Sequence, residues 1–246
     1  MSIWKNCRST FLSFTAGVVV MGSMTVPSYA GESIMLQLET LIGNEPYMGA
    51  EDTLLVSGTH ANRNYGGTNS LWIGSGDEGD MDIRRSLIRF DILNIIPEGK
   101  QVERAILTLT CVQAKGGVAE WALYAVSSEN ASWVEGDNAR GASETGPCSW
   151  NYQGNFYQPW TGGEGLGDPG DGYDSTPHYT HSSPLKIKDK ISIELPGELI
   201  ESWRSGNNGG MLLRLTEETH EATYIRFAST EHTDALLRPS LEIILK

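Results

Sequence analysis

Apolar and polar positions alternate with a period near two over four runs in the first half of the chain: Thr53–Val56, Ser70–Ile73, Ser86–Ile92 and Ala105–Cys111. A period of two sends successive side chains to opposite faces of an extended strand. Each run is bounded by Gly, Asn, Asp or Pro, which end strands and form turns. In the last run Ala105, Leu107, Leu109 and Cys111 share one face, and Ile106, Thr108 and Thr110 share the other. In the third run Ser86, Ile88, Phe90 and Ile92 form the face predicted to be core, with Leu87, Arg89 and Asp91 turned outward. A sheet with one apolar face needs a second layer to cover it, so the pattern predicts an all-β sandwich.

Further strands are predicted within Gly31–Leu41, Glu120–Val126, Ile187–Leu195, Met211–Leu215, Tyr224–Ser229 and Arg238–Ile243, with Leu241, Ile243 and Leu245 facing in. Glu198–Trp203 reads as a short helix, with Pro196 ahead of it and Gly206 ending it. Asn62–Thr68 is a turn in which Asn64, Gly66 and Gly67 tolerate positive φ. Tyr65 is expected to lay its ring over the end of the sandwich. Ser127–Gln153 and Phe156–Ser183 carry no period and are rich in Gly, Asp and aromatics. Loops of that length in a compact domain usually have a use. With no internal repeat and no linker visible, the expectation is one decorated domain.

The first thirty residues read as a signal peptide. Lys5 and Arg8 give a basic start, Phe11–Met21 a short apolar core, and Pro27-Ser28-Tyr29-Ala30 a small-residue cleavage site. The apolar run is short for a membrane span, which takes about 20 residues. The mature domain is therefore expected to be 31–246, with the body of the fold from 52 to 246. The expected location is secreted and extracellular, with the periplasm open. The formal charge is −13, and losing Lys5 and Arg8 with the leader leaves −15. Such a balance excludes nucleic acid as an expected partner. It also disfavours broad attraction to polyanions, unless bound cations or a local patch from Arg63, Arg84, Arg85 and Arg89 intervene.

Several ordered blocks carry a resemblance. They are Asp52-Thr53, then Asn64-Tyr65-Gly66-Gly67, Leu71-Trp72-Ile73-Gly74, Arg85-Ser86-Leu87-Ile88-Arg89-Phe90-Asp91 and Ala105-Ile106-Leu107-Thr108-Leu109. Later come Trp133 with Glu135, Ser149-Trp150, a Trp203 block, and Phe227-Ala228-Ser229 with Arg238-Pro239. In this order they resemble the DNRLRE domain, also described as carbohydrate-binding module family 96. The resemblance implies a jelly-roll sandwich and polysaccharide binding, with acidic glycans as one ligand class.

Sugar rings offer an apolar face to aromatic side chains and a hydroxyl rim to polar ones. Trp133, Trp150 and Trp160, with Tyr157 and Tyr173, lie in or beside the long loops and are the candidate platforms. Arg85 and Arg89 are the candidate polar contacts. Trp72 and Trp203 fall inside strand or helix patterns and are assigned to the core; Trp121 is open. Asp77, Asp80 and Asp82, with Glu78, crowd a Gly-rich loop that suits calcium; the alternative is a solvated acidic turn neutralised by Arg84 and Arg85. Cys111 and Cys148 form a disulfide on one reading, since exported chains tend to join cysteine pairs. On the other, Cys111 stays a free thiol on its apolar strand face. His178, His181 and Tyr179 could be assembled with an Arg into a lyase site, but no spacing requires it, and no catalytic residue is expected. The function expected is a non-catalytic polysaccharide-binding module. A structural or adhesive role in an extracellular matrix or surface assembly, with self-association, is the alternative, and a small lyase or hydrolase the weaker one.

Overall fold

The computed structural model describes residues 32–76, 82–117, 119–142, 146–154, 157–219 and 222–246. Residues 1–30, on which the expected signal peptide falls, and the acidic positions Asp77, Glu78 and Asp80 lie outside them. Eleven strands make one continuous sheet. They are β1 (Ser33–Leu36), β2 (Ala50–Val56), β3 (Ser70–Gly74), β4 (Arg84–Phe90), β5 (Val102–Lys115) and β6 (Trp121–Ala125). After them come β7 (Tyr179–His181), β8 (Lys190–Pro196), β9 (Met211–Leu215), β10 (Tyr224–Ala228) and β11 (Ser240–Leu245). The order across the sheet is β1-β11-β5-β10-β3-β4-β9-β6-β7, with β8 added to β5 and β2 added to β4. Short two-stranded pairs decorate it, among them Arg63–Asn64 paired with the distant Gly141–Ala142.

The long β5 is what lets one sheet make two layers. Its first half pairs with β8 and β11, through Leu107↔Ile193 and Leu107↔Leu241. Its second half pairs with β10, through Cys111↔Phe227 and Lys115↔Tyr224. Between these a register shift occurs at Arg226/Phe227, and a bulge of this kind bends the strand and sharpens its twist. The sheet curls into an open half-barrel with sandwich-like layers. Ala105, Leu107, Leu241, Ile243, Ile193 and Leu195 from one limb share a buried cluster with Ile73, Ile88, Phe90, Trp121, Leu213 and Phe227 from the other. The predicted core faces of β4 and β5 are thus observed. The helix α1 (Gly197–Arg204) drops Ile200 and Trp203 into the same cluster, as its pattern predicts. A Cβ at Gly197 would lie 2.6 Å from the Glu103 carbonyl, so only glycine lets α1 start this close to β5.

The outer face of the second limb departs from the sequence expectation. Leu87, read as outward, is fully buried. It belongs to a second cluster with Leu55, Ala122, Tyr124 and Leu212 from the sheet, and Trp133, Cys148, Trp150, Trp160, Leu166 and Tyr173 from the long connections. The described parts of the segments without periodicity, apart from β7, therefore form a lid that closes the far side of the sheet. Burying about 200 Å² per tryptophan at about 25 cal/mol/Å² stabilises by roughly 5 kcal/mol gross per ring, before the cost of ordering the loop.

The two cysteines belong to different cores, Cys111 to the inner and Cys148 to the outer. Both are free and buried, so the disulfide expectation is corrected. Burial pushes the Cys111 thiol up to about 11 and the Cys148 thiol up to about 12. Gly31–Lys246 forms one compact unit. Among the described residues no helix is long and apolar enough to cross a membrane.

Candidate functional site

The residues expected to meet a sugar hold the lid instead. Trp133, Trp160 and Tyr173 are 1%, 3% and 2% exposed, and Trp150 is 9% exposed. Their polar atoms are spent internally: Trp133 Nε1 donates to the Gly209 carbonyl and Trp160 Nε1 to the Ser149 carbonyl, both at 2.9 Å. Arg85 lies buried beneath the lid. Its Nη1 donates to the Gly165 and Gly167 carbonyls at 2.6 and 2.7 Å, and its other two nitrogens take both oxygens of Glu218. Arg214 reaches the same carboxylate at 2.8 Å and also donates to the Tyr173 hydroxyl. Arg89 pairs with Glu51, donates to the Ala131 carbonyl at 2.6 Å, and lies 4.3 Å over the Trp133 ring. A buried aromatic with an arginine above it gains a cation–π contact in addition to its area. Of the expected binding set only Tyr157 is exposed, at 50%, packed edge-on against Tyr152.

A different cluster forms on the same limb. Trp72, assigned to the core from its pattern, is half-buried at the sheet face. It faces Arg226 across the β3–β10 pairing, and Arg84 enters from β4. The Arg226 guanidinium lies 3.6 Å, and that of Arg84 4.1 Å, from the centre of the indole. These three residues, with Tyr65, His60, Arg140, Asn69 and Thr68, line a groove of about 260 Å³. Tyr65 packs with Leu54 and Val56 to form its apolar wall.

His60 orders one side of this groove. Its Nδ1 lies 2.7 Å from Asp82 and its Nε2 2.8 Å from Arg140 Nη2. Guanidinium can only donate, so Nε2 is the acceptor and the ring proton sits on Nδ1, donated to Asp82. Asp82 is thus an anchor for His60 in this structure. The expected calcium loop has its other two positions outside the described residues. The proposed arginine patch divides: Arg84 reaches the groove, Arg63 donates to the Arg140 carbonyl nearby, and Arg85 and Arg89 serve the lid. The lyase candidates Tyr179 and His181 lie on strand β7, outside this groove, with the Tyr179 hydroxyl 3.0 Å from His181 Nδ1.

An acidic centre lies on the neighbouring edge. Asp52 at the start of β2, Glu135 in the lid and Glu231 after β10 place one carboxylate oxygen each within 4.8 Å of one another. Asp52 is fully buried. Its Oδ2 accepts the Thr230 N–H at 2.7 Å, and its own N–H donates to Glu135 Oε1 at 2.6 Å. Glu231 Oε1 accepts the Thr230 hydroxyl at 2.8 Å. Asp52 Oδ1 and Glu231 Oε2 are buried with no hydrogen-bond partner among the described residues. Burial, followed by the charge of Glu231, holds the Asp52 carboxyl well above the usual range. Burial raises Glu135 to about 8 and raises Glu231 as well. An all-oxygen anionic donor set of this kind suits a hard divalent cation. Local spacing could not reveal it, because 83 residues separate Asp52 from Glu135.

Residues 45–139 match the family described as carbohydrate-binding module family 96. A module of this type is present over that part of the chain, which carries Tyr65, Trp72, Arg84, Asp52 and Glu135. No curated protein matches the chain significantly.

Proposed function

We propose that this protein is an exported, non-catalytic polysaccharide-binding module of jelly-roll type, and that it takes acidic glycans in the groove around Trp72. The observation that carries the reading is the packing of the Arg84 and Arg226 guanidiniums on the Trp72 ring, joined at the rim by Arg140. This concentrates positive charge locally in a chain whose formal charge is −13. The planar guanidinium fork of Arg140, exposed at the rim, matches a sugar carboxylate, while Arg84 and Arg226, each held by partners within the protein, pack on Trp72 and add their charge to the groove. Asp82 and His60 hold Arg140 in the same way. Tyr65, Asn69 and Thr68 supply an apolar face and hydroxyl-bonding groups for the rest of the ring. The basic start and apolar run of residues 1–30 support export.

Affinity electrophoresis in gels holding a polyuronate or a neutral glucan tests this. Retention is expected on the polyuronate, falling as salt screens the contact, and lost in Arg226→Ala and Arg140→Ala proteins that melt near the wild-type temperature. Equal retention on both polymers, or retention untouched by both substitutions, contradicts the proposal.

A further inference from the structure

We infer that Asp52, Glu135 and Glu231 form a calcium site that staples the lid to the sheet. The three carboxylates come from three distant segments, yet their oxygens lie within 4.8 Å of one another. Calcium–oxygen distances of about 2.3–2.6 Å place opposite ligands about 4.6–5.2 Å apart, so the spacing accommodates the ion. Two oxygens of these residues, Asp52 Oδ1 and Glu231 Oε2, are buried and have no hydrogen-bond partner among the described residues. A buried carboxylate oxygen without a partner is costly, and two of the three residues each carry one.

Among the described residues the nearby cations Arg89 and Arg238 act on Glu135 and Glu231 through charge but make their hydrogen bonds elsewhere. Arg89 bonds Glu51 and the Ala131 and Trp133 carbonyls, and Arg238 bonds Glu39 and the His232 carbonyl. The donor set has no sulfur or nitrogen, which selects against zinc and copper. Magnesium demands a tight octahedron and keeps its water, so a partly buried carboxylate cage favours the larger ion. Water would complete the six to eight oxygens that calcium takes.

The location gives the ion a structural consequence. Glu135 is the lid residue around which the Asn64 turn is built. Asn64 Nδ2 donates to the Glu135 and Cys148 carbonyls at 2.6 and 2.9 Å. A Cβ on Gly66 would lie 2.3 Å from the Glu135 carbonyl, so turn and lid touch through backbone. An ion bound at Glu135 therefore fixes the lid, the turn and the β10–β11 connection together. This claim does not depend on glycan binding.

Calorimetric titration and thermal melting of chelator-stripped protein, without glycan, test it. One calcium per chain is expected. At calcium a hundredfold above Kd the midpoint should rise by about 5–10 °C, with a smaller rise at equal magnesium. Glu231→Gln and Asp52→Asn should abolish binding and shift, while a protein carrying both Asp77→Asn and Asp80→Asn should retain them. The inference is overturned if stripped wild-type protein binds no calcium, or if a folded Glu231→Gln protein binds it as wild type does. It is also overturned if the Asp77→Asn, Asp80→Asn protein loses binding, which would assign the ion to the Gly74–Asp82 loop. Should Asp52→Asn fail to fold, the partly exposed Glu231 and the wild-type titration decide the matter.

Discussion

Trp133→Ala separates a ring that holds the fold from one that meets a ligand. Trp133 is 1% exposed, and its Nε1 donates to the Gly209 carbonyl at 2.9 Å. Truncating a buried tryptophan to alanine costs about 3–5 kcal/mol. The stranded Gly209 carbonyl adds about 1 kcal/mol. Arg89 loses its aromatic contact but keeps Glu51 and the Ala131 carbonyl, which limits the damage there. The total is about 4–6 kcal/mol, and a domain of this size loses about 2–4 °C per kcal/mol. The midpoint should therefore fall by about 8–24 °C. Trp72→Ala removes a half-buried ring and should move it by less than about 5 °C while weakening glycan retention. Differential scanning calorimetry and affinity electrophoresis on the same preparations measure both quantities. A Trp133→Ala protein that melts within 3 °C of wild type, by roughly the error of the reasoning, yet no longer binds glycan would refute the assignment of the lid.

Glu218→Gln leaves Arg85 and Arg214 facing each other with side chains 7% and 8% exposed. Removing one member of a buried ion pair costs about 3–5 kcal/mol, and limited proteolysis should find new cuts between 157 and 178. Unchanged cleavage would mean that this network does not hold the lid. Thiol reagent should find no reactive cysteine in the native protein lacking residues 1–30, and both Cys111 and Cys148 after denaturation without reductant. Finding neither thiol after denaturation would restore the disulfide.

What the sequence disclosed follows from which signals are local. The Ala105–Cys111 face, the Ile88–Phe90 face and the Pro196–Gly206 helix depend on neighbouring residues, and the structure builds them as read. Leu87 was misplaced because alternation marks two faces but does not say that a distant loop will cover the second. Trp133, Trp150 and Trp160 stand in Gly- and Asp-rich backbone with no period, so composition suggested exposure. The hint available was Arg85 and Arg89 flanking Leu87, since each ends beside a lid tryptophan. The groove was hidden for a related reason. Trp72 fits a strand, but its exposed edge depends on Arg226 arriving from β10. The acidic centre joins three segments through tertiary folding alone.

The most direct measurement is a ¹⁵N–¹H titration of the protein with a short oligouronate, following tryptophan indole and arginine side-chain signals. The account predicts that the Trp72 indole and the Arg84, Arg140 and Arg226 resonances move together and saturate, while the Trp133, Trp150 and Trp160 indoles stay in place. Movement centred on the three lid tryptophans, or none at saturating ligand, would contradict it.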